Sequence, residues 1–331
     1  MMDEHGLIKD ILEKKKEFYE LIDQGQKLDS EIVAKLVSVI LVKLNVMFEE
    51  SNDRLRQSTL TYKLIRLISK KQDYPRSKVI LDEIERKYSN EKTVDFVNLF
   101  CLEAKYYLEL LAGGGLVNRL DELAYNYKVL GCYEIAEFLY QTLLKYDQVR
   151  KSLAYIGLGD LYFEQVDNLM ENKGQESKEK VKEFWQQSVN YYEKAIDVVD
   201  FDEVPLDFVK GMSYGRLAEG YQKLKEYDLA VNACQEAIGW DEDNYYAYKV
   251  LNTIYDSSPE SVDEEMLIGE LSTELIQTKF NRMINNLWTN SLLAESKNEL
   301  NNAKIYWKYL IELDATYSSE AKEKVEYYCN T

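Results

Sequence analysis

Histidine occurs once in 331 residues, at His5. That excludes the usual acid–base residue of a catalytic triad and any His-rich metal site. Proline is nearly as scarce: Pro75, Pro205 and Pro259 all fall between helical patterns, where a residue lacking an N–H does least damage. The four cysteines, Cys101, Cys132, Cys234 and Cys329, have no CxxC spacing and no common rhythm, which fits plain thiols in a reducing compartment. Alternating β-branched runs between Asn-Gly turns are absent, so an all-α fold is expected. The longest apolar runs, such as Val39 to Val42, are far too short to span a bilayer. The stretch MMDEHGLIKDILEKKK lacks a positive leader followed by an apolar run, so no secretion signal is expected and the cytoplasm is the default location. Gly113-Gly114-Gly115 is followed by no Gly-Lys-Ser/Thr and reads as a helix stop rather than a phosphate loop. Asp241-Glu242-Asp243 lacks the Gly and the distant Glu of a calcium loop and reads as a solvated turn. Neither an enzymatic activity nor a metal or cofactor is expected.

What the chain does carry is acid. Its 59 Asp and Glu against 41 Lys and Arg leave a formal charge of -18, which repels a nucleic-acid backbone and an anionic membrane alike. The same charge keeps a long, exposed scaffold soluble. A hydrophobic content of 46% is ample for a core. The 27 tyrosines, with abundant Lys and Asn, suit an AT-rich bacterial genome.

The most ordered stretch runs from Tyr214 to Tyr255. Its first helical segment places Tyr214, Leu217, Ala218 and Tyr221 at helical spacing, and its second places Ala230, Cys234 and Ala237. The pattern restarts at Tyr248, Leu251, Asn252 and Tyr255. This resembles the tetratricopeptide repeat, whose period is about 34 residues; small residues let the two helices of a unit approach and large ones fill the gap between units. The resemblance implies a right-handed superhelical α-solenoid over residues 116–331, behind an N-terminal helical region of residues 1–112. Earlier units read as Leu120, Leu123, Ala124 and Tyr127, a turn at Gly131, then Ala136, Tyr140 and Leu143; and as Tyr155, Leu158, Gly159 and Tyr162 with Ser188, Tyr192 and Ala195. The last partner helix is displaced by an insertion at about 166–184, charged and rich in helix formers, expected to lengthen both helices around Gly174 as a solvated extension carrying Lys173, Lys178, Lys180 and Lys182. After Ser257-Ser258-Pro259, a helix is expected from about Asp263 to Ile284. A final unit follows with Leu287, Ser291, Ala294, Ala303, Trp307 and Leu310, and a polar cap from Ala321 to Tyr328.

In tetratricopeptide proteins the first helices line a concave groove. Carried over position by position, the resemblance implies a groove of Asn118, Asp121, Tyr125 and Lys128, then Ile156, Asp160 and Phe163, then Met212, Glu219, Gln222 and Lys223, then Tyr246 and Lys249, and finally Trp288 and Leu292. Rings interleaved with Asn, Gln and Lys suit an extended peptide or a helix of a partner protein. Chaperone-binding members of the family use a Lys-x-x-x-Arg on a first helix; none occurs here, which speaks against that role.

Residues 6–50 read as a hairpin of two helices joined at Gln24-Gly25-Gln26, with Ile8, Ile11, Leu12, Phe18, Tyr19 and Ile22 on one face of the first. The second, after an N-cap at Asp29-Ser30, carries Val33, Leu36, Val37, Ile40, Leu41, Leu44 and Phe48, with Val39, Val42 and Val46 on its other side. A helix apolar nearly all round is expected to be covered on two sides. Glu49 to Asp53 break the pattern, and two further stripes, Leu60, Leu64, Ile65 and Ile68, then Val79, Ile80, Leu81 and Ile84, precede a helix from Val94 to Leu111. Residues 14–48 also resemble, more faintly, the two-helix aspartyl-phosphate phosphatases of sporulating bacteria, whose signature is Ser-Gln-Glu-Leu-Asp. Ser38 matches, but Val39, Ile40 and Val42 replace the polar members, and apolar groups cannot orient an attacking water. Two readings follow. One is a non-catalytic scaffold that binds a peptide or helix in its groove. The other is a bacterial phosphorelay regulator of the Rap type, whose N-terminal helices engage a response regulator while the array senses a peptide. A homodimer through the apolar N-terminal helices is a further alternative.

Overall fold

The computed structural model describes residues 4–25, 30–51, 63–66, 74–88, 94–171, 176–202, 204–257, 273–296, 303 and 307. They are helical apart from their turns, with no strand among them. The chain divides into two compact units, Met1–Gln148 and Val149–Thr331. The boundary expected near residues 112–116 falls inside the first, because the helix ending there packs on the helix that follows.

The first unit holds α1 (Glu4–Asp23), α2 (Ser30–Ser51), α3 (Tyr74–Tyr88), α4 (Val94–Leu111), α5 (Leu120–Val129) and α6 (Tyr133–Tyr146). Gly25, with φ 67°, closes α1 in the left-handed region that favours glycine. α1 and α2 form the expected hairpin, and α2 and α3 both pack on α4. Ile11, Phe18, Val37, Ile40, Leu41 and Leu44 are wholly buried; each such side chain contributes about 1.5–3 kcal/mol by leaving water. The expectation that α2 is covered on two sides holds for one side: Val39 and Val46 are half-buried and Val42 is exposed. The helix also continues through Glu49 and Glu50 to Ser51, where a break was expected. In α3, Leu81 and Ile84 face the core while Val79 is 65% exposed, so the apolar stripe there is narrower than its sequence. Pro75 is the second residue of α3, a position whose N–H has no helical partner in any case. α4 has the bounds expected of it and stops at Gly113, φ 89°, where the Gly114 amide turns back to the Glu109 carbonyl at 2.7 Å.

The second unit holds α7 (Lys151–Glu171), α8 (Glu176–Val198), a short 3-10 turn (Val199–Phe201), α9 (Leu206–Leu224), α10 (Tyr227–Trp240), α11 (Tyr245–Ser257) and α12 (Thr273–Ser296). Each α-helix packs on the next, and α9 touches α7 and α11 besides α8 and α10. α7 and α8 are 21 and 23 residues long against 14 for α10, as an insertion that lengthens both requires. Small residues set the close approaches. Gly159 of α7 lies so near α8 that an added Cβ would sit 2.6 Å from the Tyr192 ring, and Ser188 donates to the Gly159 carbonyl at 2.8 Å. Ala218, Ala230, Cys234, Ala237, Ala247 and Leu251 are all fully buried, so the small positions of the central repeat are packing positions. α12 is one uninterrupted helix across Ile284 and Leu287, where two helices were expected; Ser291 and Ala294 on it are buried, as are Ala303 and Trp307. The N-cap at Asp29, the stripe ends Leu60 and Ile68, Gly174, Pro259, the helix start near Asp263, Leu310, the cap from Ala321 to Tyr328, and Cys329 lie outside the described residues.

Candidate functional site

The groove positions divide by burial. Asn118, Tyr125, Lys223 and Leu292 are exposed. Asp121, Asp160, Phe163, Met212, Gln222, Lys249 and Trp288 are half-buried. Lys128, Ile156, Glu219 and Tyr246 are buried, which departs from their expected place on an open groove wall. The reason is chemical in each polar case. Lys128 lies over the Tyr125 ring at 5.2 Å, Glu219 is paired with Arg216 and Lys249, and Tyr246 carries Arg216 over its ring. Ile156 belongs to the apolar core of the second unit, and Trp288 stands edge-on to Trp307 with ring centres 4.9 Å apart.

Within the second unit the structure brings five of these positions together around a residue not expected there. Spacings of three and four place Asp160 and Phe163 on one face of α7, Arg216, Glu219 and Lys223 on one face of α9, and Tyr246 and Lys249 on one face of α11. The Arg216 guanidinium reaches Asp160 at 3.4 Å and Glu219 at 3.1 Å, and Lys249 donates to the other Glu219 oxygen at 2.8 Å. Arg216 also lies over two rings, 5.9 Å from the centre of Phe163 and 4.0 Å from that of Tyr246. Tyr192 of α8 donates to Asp160 at 2.6 Å. An Arg sharing two carboxylates while stacking on rings is the geometry that a planar guanidinium provides and a Lys does not.

Burial works to raise the Glu219 carboxyl pKa, but Lys249 and Arg216 outweigh it and hold the group below its ordinary value. Burial, and then the Asp160 charge, push the Tyr192 phenol well up, so it stays a donor. The charges of this face are therefore tied to one another across α7, α9 and α11 as Asp160–Arg216–Glu219–Lys249. Sequence reasoning missed Arg216, although it follows Met212 by four residues and precedes Glu219 by three, so the helical period did mark it.

No group of His, Cys, Asp or Glu among the described residues is placed to hold a metal ion, and no described helix is long and apolar enough to cross a membrane. Cys101, Cys132 and Cys234 are buried thiols outside any disulfide; the Cys234 thiol donates to the Ala247 carbonyl at 3.4 Å. Compared with known proteins, the chain matches no family model and no curated relative.

Proposed function

We propose that this chain is a tetratricopeptide-like solenoid, a non-catalytic scaffold that holds a peptide or helix of a partner protein against its first helices. The single observation that carries the reading is the shared face of α7, α9 and α11, where Asp160, Phe163, Arg216, Glu219, Tyr246 and Lys249 interlock. Repeat units that each contribute one helix to a common surface produce such a face; fixed charges and rings give a bound segment both register and contact area. Buried thiols outside any disulfide suit a reducing, cytoplasmic setting.

The described residues of the N-terminal hairpin add no observation in favour of the phosphorelay reading. Ser38 donates to the Ala34 carbonyl of its own helix at 2.7 Å, and the neighbouring Ile40 and Leu41 are buried. The test of the scaffold reading is peptide selection on the full chain followed by hydrogen exchange of the complex. Protection of α7, α9 and α11 is expected. Protection confined to α8 and α10, or none, overturns it.

A further inference from the structure

A second feature of the same unit lies at the start of α9 and the turn from α10 into α11. There a cleft of about 520 Å³ opens, within the size range of small-ligand sites. Its lining is unusual in composition: the rings of Phe208, Trp240, Tyr245 and Tyr246, with the carboxylates of Asp207 and Asp241 and no basic side chain. Phe208 is 62% exposed, a large apolar ring left in water. The Tyr245 and Tyr246 rings touch, with centres 3.7 Å apart and planes tilted by 37°.

The charges around the cleft are unevenly satisfied. Lys210 is held by Asp200 at 2.8 Å, Lys249 by Glu219 at 2.8 Å, and Arg216 by Asp160 and Glu219. Each nearby cation thus has its carboxylate. Asp207 and Asp241 have no ion pair among the described residues; Asp241 accepts only from the Asp243 amide, at 3.2 Å, in its own turn. Two of the rings already hold cations of the chain, Lys210 at 4.7 Å from Trp240 and Arg216 at 4.0 Å from Tyr246, so ring and cation pairing is the local rule.

We infer that this cleft binds a basic side chain, Arg or Lys, of a partner peptide, its charge against Asp207 and Asp241 and its aliphatic stem and apolar neighbour against the rings. An acidic or neutral peptide lacks the charge that the two free carboxylates call for, and Arg offers both the planar cation and the apolar stem. This rests on the scaffold reading and names the chemistry of its partner.

The test uses the full chain, immobilised, with random short peptides displayed on phage, read as sequence enrichment and then as affinity of the selected pool. The expected pool is enriched in Arg or Lys beside an apolar residue. Its affinity should fall about fivefold to tenfold in the Asp207→Asn, Asp241→Asn double variant and weaken with added salt. Both positions are exposed and the changes isosteric, so circular dichroism of the variant should match the parent. A Phe208→Ala variant should weaken binding with less salt dependence. A control variant, Lys223→Glu, lies about 24 Å further along α9 than Asp207 at 1.5 Å per residue. Binding lost in the double variant and kept in Lys223→Glu supports the cleft, and loss in both variants supports one peptide lying over cleft and groove together. Loss in Lys223→Glu alone, or a pool without basic enrichment, overturns the cleft. A chain that selects no peptide overturns both.

Discussion

Each unit is built around a polar cluster, and the two clusters are opposites. In the first, Lys15 of α1 and Glu103 of α4 form an ion pair with no exposed surface on either side chain. Tyr107 and Tyr127 surround the ammonium, with ring centres 5.5 and 5.3 Å from it. Tyr19 donates to Tyr106 at 2.7 Å and Tyr106 to the Leu116 carbonyl at 2.8 Å, an order set by each phenol having one proton to give. In the second unit, Asp160, Arg216 and Lys249 each keep about a fifth of their side-chain surface in contact with solvent. A sealed pair can fix how α1 sits on α4 but can touch nothing else. A half-open chain of charges does both, which is why the candidate site lies in the second unit.

The comparison breaks most severely at Lys15. Lys15→Met leaves Glu103 charged and unpaired in a sealed core, and one of its oxygens already lacks a hydrogen bond. The expected loss is about 3–5 kcal/mol in urea unfolding. The double variant Lys15→Met, Glu103→Leu should recover most of it, since the apolar pair needs no solvation. A single variant as stable as the parent would mean the pair does not organise the unit.

Alkaline pH separates the units next. Burial raises the phenol pKa values of Tyr19, Tyr106, Tyr107 and Tyr127 above the usual 10.0, with the neighbouring Glu103 charge adding to it in each. A raised folded value gives stability that is complete below pH 10 and lost above it, at about 1.4 kcal/mol per phenol per pH unit. Lys15 works in the opposite sense: burial lowers its value from 10.5, so the folded state gains as pH rises towards that point, but it is one group against four. In the second unit the wholly buried Tyr192 shows the same strong rise, and burial also raises the half-buried Tyr214 and Tyr221 phenols and the Cys234 thiol, but these groups are spread over three helices rather than gathered around one buried charge. Hydrogen exchange between pH 10 and 11 should therefore show α1, α4 and α5 opening before α8 and α9. The reverse order would contradict the burial of the tyrosine cluster.

Two substitutions sharpen the second half of the comparison. Gly159→Ala drives a methyl into the buried Tyr192 ring at 2.6 Å and should cost about 1–3 kcal/mol, weakening the Tyr192–Asp160 bond with it. Glu219→Gln leaves Arg216 with Asp160 and Lys249 without a carboxylate, for about 1–2 kcal/mol at neutral pH. Because the Glu219 value is lowered, its contribution is present above the ordinary 4.5 and disappears as pH falls through the folded value. The variant and the parent should thus converge in acid. A constant gap at all pH values would show that packing, not charge, is what the substitution removes.

These particulars also mark what the sequence could carry. Leu120, Leu123, Ala124 and Tyr127 were legible as packing positions, and all four are wholly buried, because one helix face is written locally at a period of 3.6. The bounds of α4 and the lengthened α7 and α8 were legible for the same reason. Lys15 and Glu103 were not, since they meet across 88 positions and nothing local marks a charge that will be buried. Val42 and Val79 misled because a stripe can be wider than the contact it makes. In the candidate site, the period found Asp160, Glu219 and Lys249 but not that they would bind one another, which depends on how three helices stand together.

The smallest expected effect lies in two turns that correspond. After α5, Cys132 N–H bonds back to the Tyr127 carbonyl at 2.9 Å, and the residue between, Gly131, has φ 73°. After α9, Glu226 N–H bonds back to the Tyr221 carbonyl at the same 2.9 Å, but the left-handed position, φ 65°, is held by Lys225. The left-handed region costs an L side chain roughly 1 kcal/mol that glycine avoids. Lys225→Gly should therefore stabilise the second unit by up to about 1 kcal/mol, reduced by the freedom glycine adds to the unfolded chain. Gly131→Lys should destabilise the first by a similar amount. Thermal unfolding of both variants reads the pair. Equal and opposite shifts mean that one turn geometry closes both helix pairs; a destabilised Lys225→Gly would mean that the Lys225 side chain does more at its turn than occupy it.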